Sequence, residues 1–425
     1  MAALSDRTCR KALPVGKVPP ACASVPPHCH PHPRLPSPAP VPDWFERLTG
    51  FPEKSPSQVR SNLTANGPNL YSEVNGQTFR CGTLRIPSLA DLRTETREAE
   101  TGEAETSEAE ISGAETAEGG ALSGASLSLR QVVADVQDLH VDPANEGALF
   151  QVASQFNLLE TAGPSVVPED GVGRYERDQT QGPACAIAAG AGTIYRNYFA
   201  EVETHTGKVE SRAGQTDQVG QTAERQINCL EAVGAALGNE QEDLWRMENG
   251  YALASDAGLR RVGEQLRRMS ATEKDRLRGR LQVGIQEETE VTLSRETALS
   301  EETAPPEAGH TVTQVYGSAL PVAYSAAPIG LWAPFAKLVL EAAYEATLRA
   351  GIQNGKRSGG WTTYLTLLGG GAFGNRSEWI IGAIRRALNA CRECLLEWPL
   401  DVAIVSYGQP DPDVSRLVSD WNSGT

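Results

Sequence analysis

Four glycines fall within the six residues Gly369-Gly370-Gly371-Ala372-Phe373-Gly374, and Asn375 follows them. Such a run suits one kind of chemistry: glycine takes positive φ and lets a ligand approach backbone N–H groups closely. The stretch before it, Trp361–Leu368, is rich in Thr and Leu and predicts a buried strand. After it, Trp379, Ile380, Ala383, Ile384, Ala387 and Leu388 recur on one face of a helix. Asn375, with Glu378 three residues on, is a variant of the capping box and sets the helix start at the end of the glycine run. Glycine N–H groups beside a helix N-terminus favour anions, so Gly369–Asn375 is expected to bind phosphate. The competing explanation is a tight turn that packs the helix closely on a sheet. Gly369, Gly371 and Gly374 match G-x-G-x-x-G, yet a dinucleotide-binding unit needs more strands than the one that follows. A P-loop needs Gly-Lys-Ser/Thr, and here Asn375 follows Gly374.

No metal centre is expected. Cys391-Arg-Glu-Cys394 lacks a second pair, and Cys29-His30-Pro-His32 lies in a proline-rich tail. The remaining cysteines form no framework, which points to reduced thiols and an intracellular site, cytoplasmic or nuclear. The net charge of −16 is concentrated: Thr94–Gly120 holds nine glutamates and one arginine. No basic stripe of the kind that tracks nucleic acid is evident, and no apolar run approaches a membrane span. No cofactor is called for by any motif.

The elements that must position the loop follow from periodicity and turn chemistry. Residues 1–42 are proline-rich and expected to be a disordered tail, with an organelle transit segment as the alternative. Residues 43–93 read as a small extension packed on the core. Within it Ser55-Pro56 starts a helix, and Asn75-Gly76 joins two strands, Leu70–Val74 and Thr78–Cys81. Residues 94–125 are an acidic low-complexity linker with too few apolar positions to order. The main domain is expected over 126–410, with insertions near 201–280 and 294–309 and a tail at 411–425. Its strands are Leu129–Val136, Ala148–Ala153, Leu281–Ile285, Glu290–Leu293, Thr311–Gly317 and Asp401–Tyr407. Gly182-Pro183 starts a helix that puts Ile187, Ala191, Ile194 and Tyr198 on one face. Two or three helices are expected from Ala223 to Arg278. Trp332, Phe335, Val339, Ala342 and Ala346 mark another. Strands alternating with helices predict a three-layer α/β/α sandwich with a mixed central sheet.

The order of these motifs resembles the macrodomain superfamily, including its poly(ADP-ribose) glycohydrolase-like branch. Ala134-Asp135-Val136 stands where macrodomains carry Gly-Asp-Ile/Val. Ala153-Ser-Gln-Phe-Asn157 keeps the last residue of Asn-Ala-Ala-Asn. Gln181-Gly-Pro-Ala-Cys-Ala-Ile187 takes the place of the first glycine-rich loop, and Gly371-Ala-Phe-Gly374 matches the second, Gly-x-Phe/Tyr-Gly. Ser318-Ala-Leu-Pro321 sits where the glycohydrolase-like branch has a similar strand end. The resemblance implies that Asp135 and Val136 meet adenine and that Asn157 holds the distal ribose. It implies that Gly182 lines the first loop, that Ser318 is a ligand-binding residue at its strand end, and that Gly369, Gly370, Gly371, Ala372, Gly374 and Asn375 wrap the diphosphate. Phe373 would pack beside ribose and Tyr407 near adenine.

One departure bears on catalysis: the paired glutamates that follow a glycine triplet in the glycohydrolase branch are absent near Gly182. Glu160, Glu169 and Asp178 are the acids in the intervening loop, and the spacing selects none of them. The expected partner is ADP-ribose or an ADP-ribosylated macromolecule. Three functions follow from the resemblance: a hydrolase of ADP-ribosyl linkages, a reader without turnover, and a structural protein that kept the fold without ligand.

Overall fold

The computed structural model describes residues 41–101, 127–202, 219–293 and 309–424. The expectations for the tail at 1–40, the linker at 102–125 and the loop at 294–308 lie outside the described residues. From Pro42 onward the chain forms one unit.

Its N-terminal part contributes β1 (Leu63–Asn66), β2 (Asn69–Ser72), β3 (Thr78–Arg80) and β4 (Thr83–Arg85). The others are β5 (Ser128–Val133), β6 (Leu149–Ala153), β7 (Trp245–Glu248), β8 (Tyr251–Ala254), β9 (Gly284–Glu290), β10 (Thr311–Gly317), β11 (Thr362–Leu365) and β12 (Asp401–Ser406). Strands β1, β2 and β3 form a small antiparallel sheet, and its β2–β3 turn is the expected Asn75-Gly76 hairpin, with Gly76 at φ 70°. The central sheet runs β4-β9-β10-β6-β11-β12-β5. Strands β10, β6, β11, β12 and β5 are parallel, and β9 and β4 extend one edge with antiparallel pairs.

Side chains alternate across this sheet, and both faces are covered. On one face Gln151 donates to the Thr347 hydroxyl (2.9 Å) on the long helix Ile329–Ser358, which packs on helix Ser377–Ala390. On the other, Phe150 stacks on His140 of helix Val136–Val141, while Gln314 reaches the Cys185 carbonyl on helix Gln181–Ala188. The three-layer α/β/α sandwich with a mixed central sheet is therefore observed. Trp332, Phe335, Val339, Ala342 and Ala346 are all buried, as their spacing requires. Among the described residues no helix is long and apolar enough to cross a membrane.

Several boundaries move. Residues 43–93 are more than an extension: β4 pairs with β9 and completes the sheet edge, which local sequence cannot show because the partners lie about 200 residues apart in number. The helix Leu89–Thr101 runs into the acidic segment that was expected to be linker. The 411–425 tail is a helix, Pro412–Asn422, started by Pro412 and the Asp411 cap and packed on β5. The acids between Leu281 and Leu293 do not separate two strands. They lie within β9, where Glu287 pairs with Arg85 and Arg357, and Glu288 takes φ 53° and pairs with Arg80. Val136 ends no strand, since β5 stops at Val133 and Val136 opens a helix. In place of helices alone over 223–278 there is the β7–β8 hairpin, turned by Asn249 (φ 47°) and Gly250 (φ 81°).

His140 gives the fold a measurable pH signature. Its Nδ1 lies 2.7 Å from the Val136 carbonyl and donates to it, and Nε2 accepts from Gln314 at 3.0 Å. That leaves no place for a second proton, and burial pushes the imidazole down to about 4. The unfolded chain takes up this proton near pH 6.5 while the native chain does not, so stability present above 6.5 is lost as pH falls toward 4. His140→Gln should remove this acid-side loss, on the order of 3 kcal/mol at 1.36 kcal/mol per pH unit. Denaturant titrations of both proteins at pH 7 and pH 4.5 measure it; parallel pH profiles would show that His140 titrates normally.

Candidate functional site

The parallel strands end together at one rim, where ligands of open α/β sheets bind. There β5 delivers Asp135, β6 delivers Ser154 and Gln155, β11 delivers Thr366 and Leu367, and β12 delivers Tyr407. Two cavities open at this rim. The outer one, 570 Å³, is lined by Asp135, Val136, Gly370, Asn375, Tyr407 and Asp411 among others. The inner one, 170 Å³, is lined by Gln155, Glu160, Asp178, Gly182, Tyr251, Tyr324, Gly369, Ala372 and Phe373 among others. They meet at Thr180, Gln181, Thr366, Leu367 and Gly371, which line both.

The glycine loop divides them. Gly369 sits at φ 73°, which a side chain rarely adopts, and its own carbonyl accepts the Asn375 N–H at 2.9 Å, closing the loop. The Gly374 N–H returns to the Gly371 carbonyl at 3.0 Å. Between them the N–H groups of Gly371, Ala372 and Phe373 find no acceptor among the described residues. These three successive donors are uncommitted among the described residues, where the two cavities meet. At Gly371 a Cβ would meet nothing within 4 Å, so a side chain there has room.

Aromatic rings roof the inner cavity. Phe373 lies 5.3 Å from Tyr251 and 5.7 Å from Tyr324, centroid to centroid, and Tyr251 donates to the Thr161 carbonyl at 2.7 Å. Burial pushes the Tyr251 hydroxyl above its ordinary range, so it acts as a donor throughout the physiological range. Gln181 fixes the floor, accepting the Ala153 N–H and donating to the Gln151 carbonyl, both at 2.9 Å. Gly182 is required there for space: a Cβ would stand 2.0 Å from the Ala153 carbonyl oxygen.

At the far end of the outer cavity Asp135 caps helix Val136–Val141, its Oδ1 accepting the Gln137 N–H at 2.8 Å. Its Oδ2 has no partner among the described residues and remains available as an acceptor. Tyr407 is 82 % exposed and presents an open ring beside it.

Other expected residues are placed elsewhere or held differently. Asn157 is buried and lines neither cavity; its amide donates to Gln226 and its carbonyl oxygen accepts the Leu159 N–H. It serves the loop's own backbone and offers nothing to a ribose. Ser318 is also outside both cavities, buried with its hydroxyl donating to the Ala319 carbonyl. Asn375 does not cap the helix, whose N-cap is Arg376 with no side-chain bond. Its amide instead ties down the Leu320 and Gly369 carbonyls (2.8 and 3.3 Å), clamping the loop from below. Gly374 is turned toward Ala323, away from both cavities. Glu169 is spent on the Ala223 N–H, away from the rim.

The remaining two acids differ sharply. Glu160 is fully buried, with both carboxylate oxygens 3.2 Å from Arg196, whose guanidinium lies over the Tyr316 ring and bonds its hydroxyl. Burial outweighs the pull of Arg196 and pushes the carboxyl up to about 7. Asp178 is half-buried, and its Oδ1 accepts the Thr180 N–H and hydroxyl (2.9 and 2.7 Å). Sequence reading missed Tyr251 and Tyr324, and named Gln181 only as part of the segment in place of the first glycine-rich loop. The Asn249-Gly250 pair was a legible hairpin signal for Tyr251; for Tyr324 no local pattern points to the rim.

No protein-family profile matches this chain, and no curated protein does. Solved structures of poly(ADP-ribose) glycohydrolase, the branch the motif order resembles, do overlap with it. The enzyme from Deinococcus radiodurans in complex with ADP-ribose is 9 % identical, with a TM-score of 0.38 covering 80 % of this chain and 94 % of that one. That from Thermomonospora curvata is 10 % identical, with a TM-score of 0.37 covering 86 % and 97 %. The latter enzyme bound to the inhibitor ADP-HPD gives 10 %, 0.33, 86 % and 95 %. The overlap is loose in each case, and the chemistry at the rim is that of this chain's own residues.

Proposed function

We propose that the chain binds ADP-ribose, free or attached to a macromolecule, with the diphosphate on the N–H groups of Gly371, Ala372 and Phe373. The observation that supports this most is the position of these three uncommitted donors, on the wall between two confluent cavities. A diphosphate there has one cavity on each side for its two ends. The free Asp135 oxygen suits the amino group of adenine, and the inner cavity, roofed by Tyr251, Tyr324 and Phe373, suits the distal ribose. Calorimetry with ADP-ribose, AMP and ribose 5-phosphate tests this. ADP-ribose should bind more tightly than either half, because only it fills both cavities and bridges the donors. Absence of ADP-ribose binding would overturn the proposal in favour of a structural role.

Hydrolysis of the ADP-ribosyl linkage is the second reading, favoured by Asp178. Of the three candidate acids it alone lines the inner cavity with a carboxylate oxygen left free among the described residues. Breaking a glycosidic bond through an oxocarbenium-like state requires a carboxylate or an activated water near the anomeric carbon. The parent protein is expected to release ADP-ribose from an ADP-ribosylated protein. Asp178→Asn should slow release by roughly 10²-fold or more, as for loss of general acid–base help, with ADP-ribose affinity retained. A parent that binds ADP-ribose but releases none is a reader, and a variant as fast as the parent removes Asp178 from the reaction.

A further inference from the structure

The chain as a whole is acidic, but one flank is not. Between Asp256 and Arg280 eight basic residues face four acidic ones, against a net charge of −16 for the chain. Helix Asp256–Arg268 carries Arg260 and Arg261 and, two turns on, Arg267 and Arg268, all exposed. Their side chains enter no ion pair among the described residues. Helix Ala271–Gly279 and the long helix Ile329–Ser358 complete a cleft of 160 Å³, lined by Arg267, Lys274, Arg278 and Lys337 around a floor of Leu266, Pro334 and Leu338. Arg278 is held by Glu341 at 2.6 Å, whereas Lys274 and Lys337 have no carboxylate partner among the described residues.

This flank is joined to the rim by the chain itself. The rings of Tyr251 and Tyr324, 5.2 Å apart, roof the inner cavity, and a helix starts a few residues after each, at Asp256 and Ile329. The two helices lie against each other, Gly263 facing Pro334. At 1.5 Å per residue Arg267 stands about 16 Å along its helix from Asp256.

We propose that this flank is a binding surface for the phosphate backbone of a nucleic acid strand, and its test needs no ligand in the rim cavities. Arginine dominates the set, and its planar fork matches phosphate oxygens. The two arginine pairs repeat at about 10 Å along one helix, and the cleft adds cations beside them. Glu264 stands between the two pairs and Glu341 lines the cleft, so the cations form separate clusters that local sequence does not show as a stripe. Together they suit a strand bearing a charge about every 3.4 Å. Isolated carboxylates of an acidic protein do not need such a set.

Fluorescence anisotropy of a labelled oligothymidylate, titrated with the full chain across a salt series, tests the surface. The parent should bind, with affinity falling linearly in log–log form as salt rises. Arg267→Glu/Arg268→Glu should weaken binding at least tenfold and reduce that slope by about 1.4, at roughly 0.7 per lost phosphate contact. Arg260→Glu/Arg261→Glu provides a second exposed pair, and melting temperatures near the parent's show that both variants fold. Gly371→Glu should bind the oligonucleotide as the parent does, which separates this surface from the rim. Three results would overturn the proposal: no binding at low salt, binding by both double variants as tight as the parent's, or polyglutamate displacing the strand at equal charge concentration. So would binding that emerges only when residues 102–120 are deleted, since the chain's own acidic run would then be the occupant.

Discussion

Gly371→Glu should abolish ADP-ribose binding while the protein melts near its parental temperature. A side chain at Gly371 has free space, nothing lying within 4 Å of its Cβ, and the residue does not use positive φ. The new carboxylate would sit in front of the donors proposed for the diphosphate. Like charges about 4 Å apart repel by about 4 kcal/mol at an effective dielectric constant of 20, roughly a thousandfold in affinity. Gly374→Glu makes the contrast. Gly374 holds φ 69°, and its Cβ would press to 2.9 Å from the Ala323 Cβ. That variant is expected to lose stability before ligand is added, through strain in the loop. Thermal melts with and without ADP-ribose distinguish the two. If Gly371→Glu keeps the ligand-induced shift, the diphosphate does not lie on this loop.

Arg196→Met should be the most destabilising single change in the site's support, by about 3–5 kcal/mol, the usual cost of leaving one partner of a buried ion pair alone. Arg196 is fully buried and holds four things at once: the Glu160 carboxylate, the Leu158 carbonyl (3.0 Å), the Tyr316 hydroxyl and the Thr193 hydroxyl (3.2 Å). Through Glu160 and Leu158 it fixes the loop that forms the inner cavity's wall. Replacing both partners, Arg196→Met with Glu160→Leu, should recover part of the loss, because no uncompensated charge remains. Denaturant unfolding of the three variants measures this; a double variant no better than Arg196→Met would show that the pair's partners, and not its charge, hold the fold. Glu160 also sets an alkaline-side slope. Its carboxyl is raised from 4.5 to about 7 in the native state, so the stability it contributes is present below 4.5 and lost as pH rises through 7. This runs opposite to the His140 effect, and the two are separated by comparing each variant with the parent.

What the sequence determined by itself is what short-range geometry encodes. The Asn75-Gly76 turn, the Ser55-Pro56 helix start, strand Thr311–Gly317 and the apolar face of helix Ile329–Ser358 all follow from backbone preference and residue period. The place of the glycine loop between a strand and a helix belongs here too, with Gly369 at φ 73°. The layering followed from strands alternating with helices. Tertiary structure decided which polar groups were left free. Asn157 looks like a ligand residue in the chain, but folding consumes it on Gln226 and the backbone of Leu159. Asn375, by contrast, spends its amide N–H groups on the Leu320 and Gly369 carbonyls and keeps a buried Oδ1 with no partner among the described residues. Glu160 is removed from the candidate acids by an arginine 36 residues away. The roof of the inner cavity joins Tyr251, Tyr324 and Phe373 from three distant segments, and β4 reaches β9 across some two hundred residues. A hydrogen bond or ion pair is satisfied by whichever partner the fold brings within about 3 Å, and sequence separation places no limit on that partner.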